Sequence, residues 1–307
     1  MDPLSQFLTL LRPRGFSWKQ GELFGDWALE FPSTAGLAFC LASAGSCRLD
    51  LPDGRSWRVQ QGDFLLLAAP PVWTLSNGGP AAAVRIKDAL ADQGKYKAGP
   101  SPNMTRLLGG HFSFDEINMA LLQSLLPPVL IIAANASNAP RFHGVLNHIA
   151  EETASYQPGR ELVLNRLLEI MLVEAIRHSA GPHGMPHPGL VAGLADKQLA
   201  LALTAMHADV RHGWSVSKLA AVAGASRSAF AERFTRVVGV SPMAYLLHWR
   251  MALAKDALRL KDARVEQVAF ACGYNSASAF STAFTRSVGC PPVRYAANSH
   301  GAGAACE

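Results

Sequence analysis

The C-terminal third of this chain repeats itself, and no other feature of the sequence limits its fold so tightly. Ser217-Lys-Leu-Ala-Ala-Val-Ala-Gly224 is followed by Phe230, Phe234, Thr235-Arg236, Gly239, Pro242 and Tyr245. Glu266-Gln-Val-Ala-Phe-Ala-Cys-Gly273 is followed by Phe280, Phe284, Thr285-Arg286, Gly289, Pro292 and Tyr295. The offset is 49 up to the glycine and 50 after it, so the second copy carries one extra residue in its turn. Landmarks matching in order at a fixed period mark a duplicated supersecondary unit.

Each copy has the same physical logic. Leu219, Ala220 and Ala223 form the inner face of a short helix, which Gly224 ends because a left-handed residue costs little without a Cβ. Ser226 can cap a second helix, and Phe230, Phe234 and Val237 or Val238 pack it back on the first. Gly239 stops it. In the second copy Val268, Ala269 and Cys272 form the inner face, Gly273 the stop, Asn275 or Ser276 the cap, and Phe280 and Phe284 the packing face. Short helix, tight turn with glycine, second helix is the helix-turn-helix pattern, whose second helix enters the DNA major groove. Between the copies, Ser241-Pro242 starts a helix predicted over Met243 to Leu260, with Leu246, Leu247, Leu253, Ala254, Ala257 and Leu258 inward. One continuous helix joining two reading heads lets them address adjacent major-groove segments about 34 Å apart.

Charge follows the repeat. Residues 190–307 hold 13 Lys+Arg against 7 Asp+Glu, whereas residues 1–189 hold 15 against 16, so the formal +5 of the 307-residue chain belongs to the C-terminal part. A basic excess on the reading heads fits an anionic partner. Five cysteines, Cys40, Cys47, Cys272, Cys290 and Cys306, include no Cys-x-x-Cys pair and point away from a disulfide framework and a structural zinc site. The first residues reverse the charge order of a signal peptide, and the longest apolar stretch, Leu125 to Ala134, is broken by Pro127 and Pro128. The expectation is a soluble cytoplasmic protein, nucleoid-associated when on DNA, with no membrane partner.

The first hundred residues read as strands. Gly36 to Leu51 and Trp57 to Leu67 are separated by a Pro52-Asp53-Gly54 turn, and Asn77-Gly78-Gly79-Pro80, Gly99-Pro100-Ser101-Pro102 and Gly109-Gly110 supply further breaks. A small β-barrel or sandwich is predicted. From about Pro140 the period becomes helical, through Leu146, Ile149 and Ala150 and then Leu162, Leu164, Leu167, Leu168, Met171, Leu172 and Ala175, with Pro158-Gly159 between two helices. Their apolar faces must bury either on the barrel or on a second copy of the chain. The Gly- and Pro-rich run Ser179 to Gly189 reads as a linker, and its neighbouring His178, His183 and His187 lack the carboxylate or thiol company of a metal site.

The fold class expected is α+β: an N-terminal cupin-like β-barrel over 1–139, a helical hairpin over 140–180 as a dimerisation element, a linker over 181–189, and an all-α tandem helix-turn-helix domain over 190–300. On Gly-Tyr274, the Phe-x-x-x-Phe pairs, Gly-x-Ser/Pro-Pro and the closing Tyr295, the segment from about Asp209 to Tyr295 resembles the DNA-binding domain of AraC/XylS-type transcriptional regulators. That resemblance implies base contacts from Ser228, Ala231 and Glu232. Arg227 and Arg236 suit phosphates, with guanine also within the reach of Arg227. Glu232 has two readings, accepting from a cytosine amino group or orienting a neighbouring arginine, and the second is favoured. The second head presents Ala277, Ser278, Ser281 and Thr282, with Arg286 toward the backbone; such short side chains read methyl groups and DNA shape.

Gly62-Asp63 and Asn77 resemble cupin landmarks, but no histidine precedes His111 and Trp73 stands where a later metal ligand would be, so neither metal nor cofactor is expected. A barrel without metal ligands is a natural receptacle for a small molecule, and the family resemblance implies an effector-binding role, with Phe39, Trp57, Trp73 and His111 as candidate wall residues. The partners implied are double-stranded DNA, that effector, a second copy of the chain and, for an activator, RNA polymerase. No catalytic residue is nominated. The competing readings are a metal-independent cupin enzyme with a DNA-binding tail, and a regulator whose barrel only dimerises.

Overall fold

A computed structural model describes residues 2–11, 15–34, 36–91, 104–113, 126–134, 140–155, 157–179, 188–260 and 263–300. The Gly99–Pro102 cluster, Leu125, His183, His187, Cys306 and most of the expected linker lie outside the described residues. The chain divides into two compact units, one of residues 13–187 and the other of residues 1–12 together with 188–307.

Among the described residues the first unit is built on two five-stranded sheets. β1 (Gly15–Leu23), β9 (Thr105–Ser113), β3 (Leu37–Ala44), β6 (Phe64–Ala68) and β10 (Val129–Ile132) form one in that order, antiparallel throughout. β5 (Ser56–Val59), β4 (Cys47–Asp50), β7 (Trp73–Ser76), β2 (Ala28–Phe31) and β8 (Val84–Arg85) form the other, and α2 (Ile86–Ala91) follows β8. Each expected strand-like run is thus two strands: Gly45, at φ +71°, turns β3 into β4, and Gly62, at φ +84°, turns the chain between β5 and β6. A Cβ on Gly62 would lie 2.7 Å from the Ala134 Cβ, so both its conformation and its surroundings call for glycine. The next residue fixes that corner, because the buried Asp63 carboxylate accepts from the Gln60 and Ala134 N–H groups at 2.8 and 2.9 Å. Asn77 does the same at the other end, accepting from the Trp27 N–H at 3.3 Å and donating to the Gly25 carbonyl at 2.7 Å.

Side-chain alternation divides the apolar residues of the first sheet between two cores. Ala38, Cys40, Ala42, Leu65 and Leu67 join Leu29, Leu49, Trp73 and Leu75 of the other sheet in the interior. Leu37, Phe39, Leu41, Phe64 and Leu66 are equally buried on the opposite face. There the helical hairpin α3 (Pro140–Ala154) and α4 (Arg160–Ser179) packs, with Phe142 edge-on to Phe64 at 5.1 Å. The hairpin therefore does bury one face on its own barrel, while Leu162, Val163 and Ile170 of α4 stay exposed, Leu162 at 63 %.

The second unit begins with a helix from the other end of the chain. α1 (Pro3–Leu11) was expected within the barrel domain; instead its buried Phe7 stacks on Trp249 at 5.9 Å. The rest is α5 (Leu190–Ala195), α6 (Lys197–Ala208), the first head α7 (Val216–Val222) and α8 (Arg227–Val238), the connecting helix α9 (Pro242–Ala257), the second head α10 (Val265–Ala271) and α11 (Ala277–Val288), and α12 (Pro292–His300). Within α9, Leu246, Ala254 and the following Leu258 are buried as expected, but Leu247 is exposed. The helix buries Tyr245, Leu246, Trp249 and Ala252, a stripe that turns Leu247 outward. Among the described residues no helix is long and apolar enough to cross a membrane, and Cys40, Cys47, Cys272 and Cys290 are buried.

Candidate nucleic-acid interface

The two reading helices are set by the same local devices. Ser226 caps α8 by accepting from the Ala229 N–H at 3.3 Å, and Ser276, rather than Asn275, caps α11 from the Ala279 N–H at 3.1 Å. Gly239 and Gly289 close the helices at φ +84° and +88°. Phe230, Phe234, Phe280 and Phe284 are each no more than 1 % exposed, and Val238 rather than Val237 completes the inner face of α8. The packing repeats as well: Phe234 meets Tyr245 edge-on at 5.9 Å, and Phe284 meets Tyr295 edge-on at 5.4 Å.

With the aromatic faces turned in, the residues expected to touch DNA occupy the other side. Arg227, Ser228, Glu232 and Arg236 are exposed and Ala231 half-buried on α8, and Ser278, Thr282 and Arg286 are exposed with Ala277 and Ser281 half-buried on α11. Thr235 and Thr282 donate their hydroxyl protons to the Ala231 and Ser278 carbonyls at 2.8 and 3.1 Å, which leaves those oxygens as acceptors. Among the described residues Arg227, Arg236 and Arg286 enter no ion pair, so their charge is available to phosphate.

Glu232 departs from the favoured expectation. Among the described residues it orients no arginine: the adjacent Arg233 points elsewhere, to Asp196 at 2.6 Å and to Gln198 at 3.0 Å. The Asp196 carboxylate also caps α6, accepting from the Gln198 and Leu199 N–H groups, so this pair ties the reading helix to the body of the unit. The contact spans 37 residues, and nothing local in the sequence announces it.

The four candidate wall residues of the barrel are not brought together. Trp73 lies in the interior, stacked on Phe31 at 4.1 Å, and Trp57 packs against that interior from its edge with the Arg55 guanidinium over its ring at 5.5 Å. Phe39 faces the helical hairpin instead, against Phe64 and Phe112, because residues 38, 40 and 42 take the inward positions of β3. His111 is exposed.

Comparison with known proteins follows this division. A family model described as Cupin matches residues 2–181, and one described as Helix-turn-helix domain matches residues 219–298. The chain is 36 % identical over 282 residues to a putative AraC-like transcription regulator of Streptomyces lividans, covering 90 % of this chain and 91 % of that one. It is 35 % identical over 285 residues to one of Streptomyces antibioticus, covering 90 % and 92 %. The solved structure of an AraC-type transcriptional regulator from Chromobacterium violaceum is similar at 25 % identity and a TM-score of 0.32, over 34 % of this chain and 95 % of that one.

Proposed function

The chain belongs to the AraC-type DNA-binding transcriptional regulators, and from that membership we propose that α8 and α11 read adjacent major-groove segments of one site while the N-terminal unit senses a small molecule. The observation that carries the reading is the duplicated head: two capped helices of equal length, each with its aromatic face buried and its short polar face open. Glu232, which pairs with no arginine among the described residues, is left to accept from a cytosine amino group. The first head, with its charged side chains, supplies more base selectivity than the second.

Binding-site selection on the purified full chain tests this. A site of roughly 20 base pairs is expected, with tighter base preferences under α8. Arg236→Ala and Arg286→Ala should weaken binding to every sequence alike and each lower the salt dependence by about one counterion. Tighter constraint under α11, or salt slopes equal to the parent's, would count against these assignments.

For the N-terminal unit, the side chains between the sheets suit an uncharged, largely apolar ligand approaching at Phe31, Trp57 and Trp73. Such a ligand is expected to quench tryptophan fluorescence saturably, and Trp73→Phe to reduce the response. A library of apolar metabolites that leaves the signal unchanged would assign the barrel to scaffolding. The exposed Leu162, Val163 and Ile170 of α4 form the surface on which a second copy would pair.

A further inference from the structure

A side chain as well as α9 ties the second reading head to the turn that precedes the first. Arg250, on α9, donates from Nε and Nη2 to the Val210 carbonyl at 3.1 and 2.7 Å, and from Nη2 to the His212 carbonyl at 3.2 Å. Both carbonyls belong to the turn that leads into the first head. That turn is itself braced: the Asp209 carboxylate accepts from the Arg211 and His212 N–H groups at 3.1 and 3.2 Å, and the Trp214 indole donates to the Asp209 carbonyl at 2.9 Å.

The same guanidinium lies 5.7 Å from the centre of the Tyr274 ring, in the turn of the second head. The Tyr274 N–H donates to the Ala269 carbonyl at 3.0 Å, as the Ala225 N–H does to the Ala220 carbonyl at 2.9 Å in the first head. Tyr274 therefore holds the place of Ala225, and Asn275 is the extra residue behind the change of offset from 49 to 50. Tyr274 in turn meets Phe280 of α11 edge-on at 5.5 Å. Beside it, Gly273 stands at φ +81°, where a Cβ would lie 2.7 Å from Arg250 Nη2 and 2.9 Å from both the Arg211 Cα and the Val210 carbonyl oxygen. The turn of the second head thus lies directly against the turn preceding the first head, with Arg250 between them.

We propose that Arg250 is a positioning residue for two-part DNA recognition: it fastens the second head's turn to the turn preceding the first head, and so sets the spacing at which α8 and α11 meet the duplex. The inference rests on the reading that both heads engage one site. α9 alone does not supply this, since it ends at Ala257 while α10 begins only at Val265. Only a planar fork can bind one carbonyl through two N–H groups and still offer a face to an aromatic ring; a lysine ammonium on a flexible stem cannot do both.

The test uses the full chain and its selected site, together with versions in which one base pair is inserted or removed between the two head segments. The wild type is expected to lose at least about tenfold in affinity on either altered spacing, because one head disengages. Arg250→Gln and Tyr274→Ala are expected to bind the parent site more weakly yet to differ by less than about threefold across the three spacings, with Arg250→Lys intermediate. Tyr274→Ala leaves Phe280 and Phe284 in place, so it keeps the test open if Arg250→Gln does not fold, as circular dichroism would show. Wild-type spacing ratios in these variants, even with affinity lowered uniformly, would overturn the proposal. A wild type that binds its site with no spacing preference would overturn it and leave the regulator reading intact; a wild type that binds no DNA would overturn both.

Discussion

Replacing Phe234 by alanine is expected to cost the C-terminal unit about 3–5 kcal/mol, a large part of the 5–15 kcal/mol that holds an ordinary domain together. The side chain is fully buried, and its ring is the link between Phe230 on the same helix at 5.6 Å and Tyr245 at the start of α9 at 5.9 Å. Removing it leaves a cavity between α8 and α9 and loosens the seat of the reading helix. In thermal unfolding of the full chain, followed by far-ultraviolet circular dichroism, the helical transition should fall by on the order of 15 °C. Specific DNA binding should fall with it, while Phe234→Leu, which keeps most of the volume, should retain the greater part of both. A Phe234→Ala chain with parental melting would show that the aromatic ladder is not what seats the reading helix.

That ladder was legible in the sequence because each of its parts is local. A serine cap, a phenylalanine at i and i+4 and a glycine in the left-handed region lie within one helix, and the duplication confirms each against its copy. The contacts that were not legible are those that cross the chain. The apolar face of α1 carries no mark of where it packs, and its partner, Trp249, lies more than two hundred residues away. Arg233 finds Asp196 and Arg250 finds Tyr274 by the same kind of long reach, and only the one-residue change in the repeat offset hints at the second.

Phe39 failed for a different reason. A strand buried on both faces reads as a continuous apolar run, so its alternation says nothing about which side is the interior. The first sheet is covered by the second sheet on one face and by the helical hairpin on the other, and β3 has buried residues at every position from Leu37 to Ala42. The cupin landmarks were legible as residues but not as roles: Asp63 and Asn77 serve to hold the ends of strands through backbone hydrogen bonds.

Acid is expected to destabilise the C-terminal unit through one residue, His207. Its ring is 6 % exposed, stacked on Trp249 at 4.2 Å and hydrogen-bonded through Nε2 to the Tyr245 hydroxyl at 2.7 Å. Burial lowers its pKa to about 4, with the Asp2 carboxylate opposing weakly. Because the folded-state value lies below the unfolded one of about 6.5, the neutral ring carries no penalty above pH 7, and stability is lost progressively as pH falls from there toward 4. At pH 5 this one group accounts for about 2 kcal/mol. His207→Gln can still bond the Tyr245 hydroxyl but does not titrate, so the gap between parent and variant, measured by urea unfolding, should shift in the variant's favour by that amount between pH 8 and pH 5. The comparison between the two chains cancels the contributions of groups remote from position 207. Parallel stability curves would mean that the imidazole can take up a proton in place, through water reaching Nδ1 or a rotation toward Asp2, and that the junction of α1, α6 and α9 opens more readily than its packing indicates.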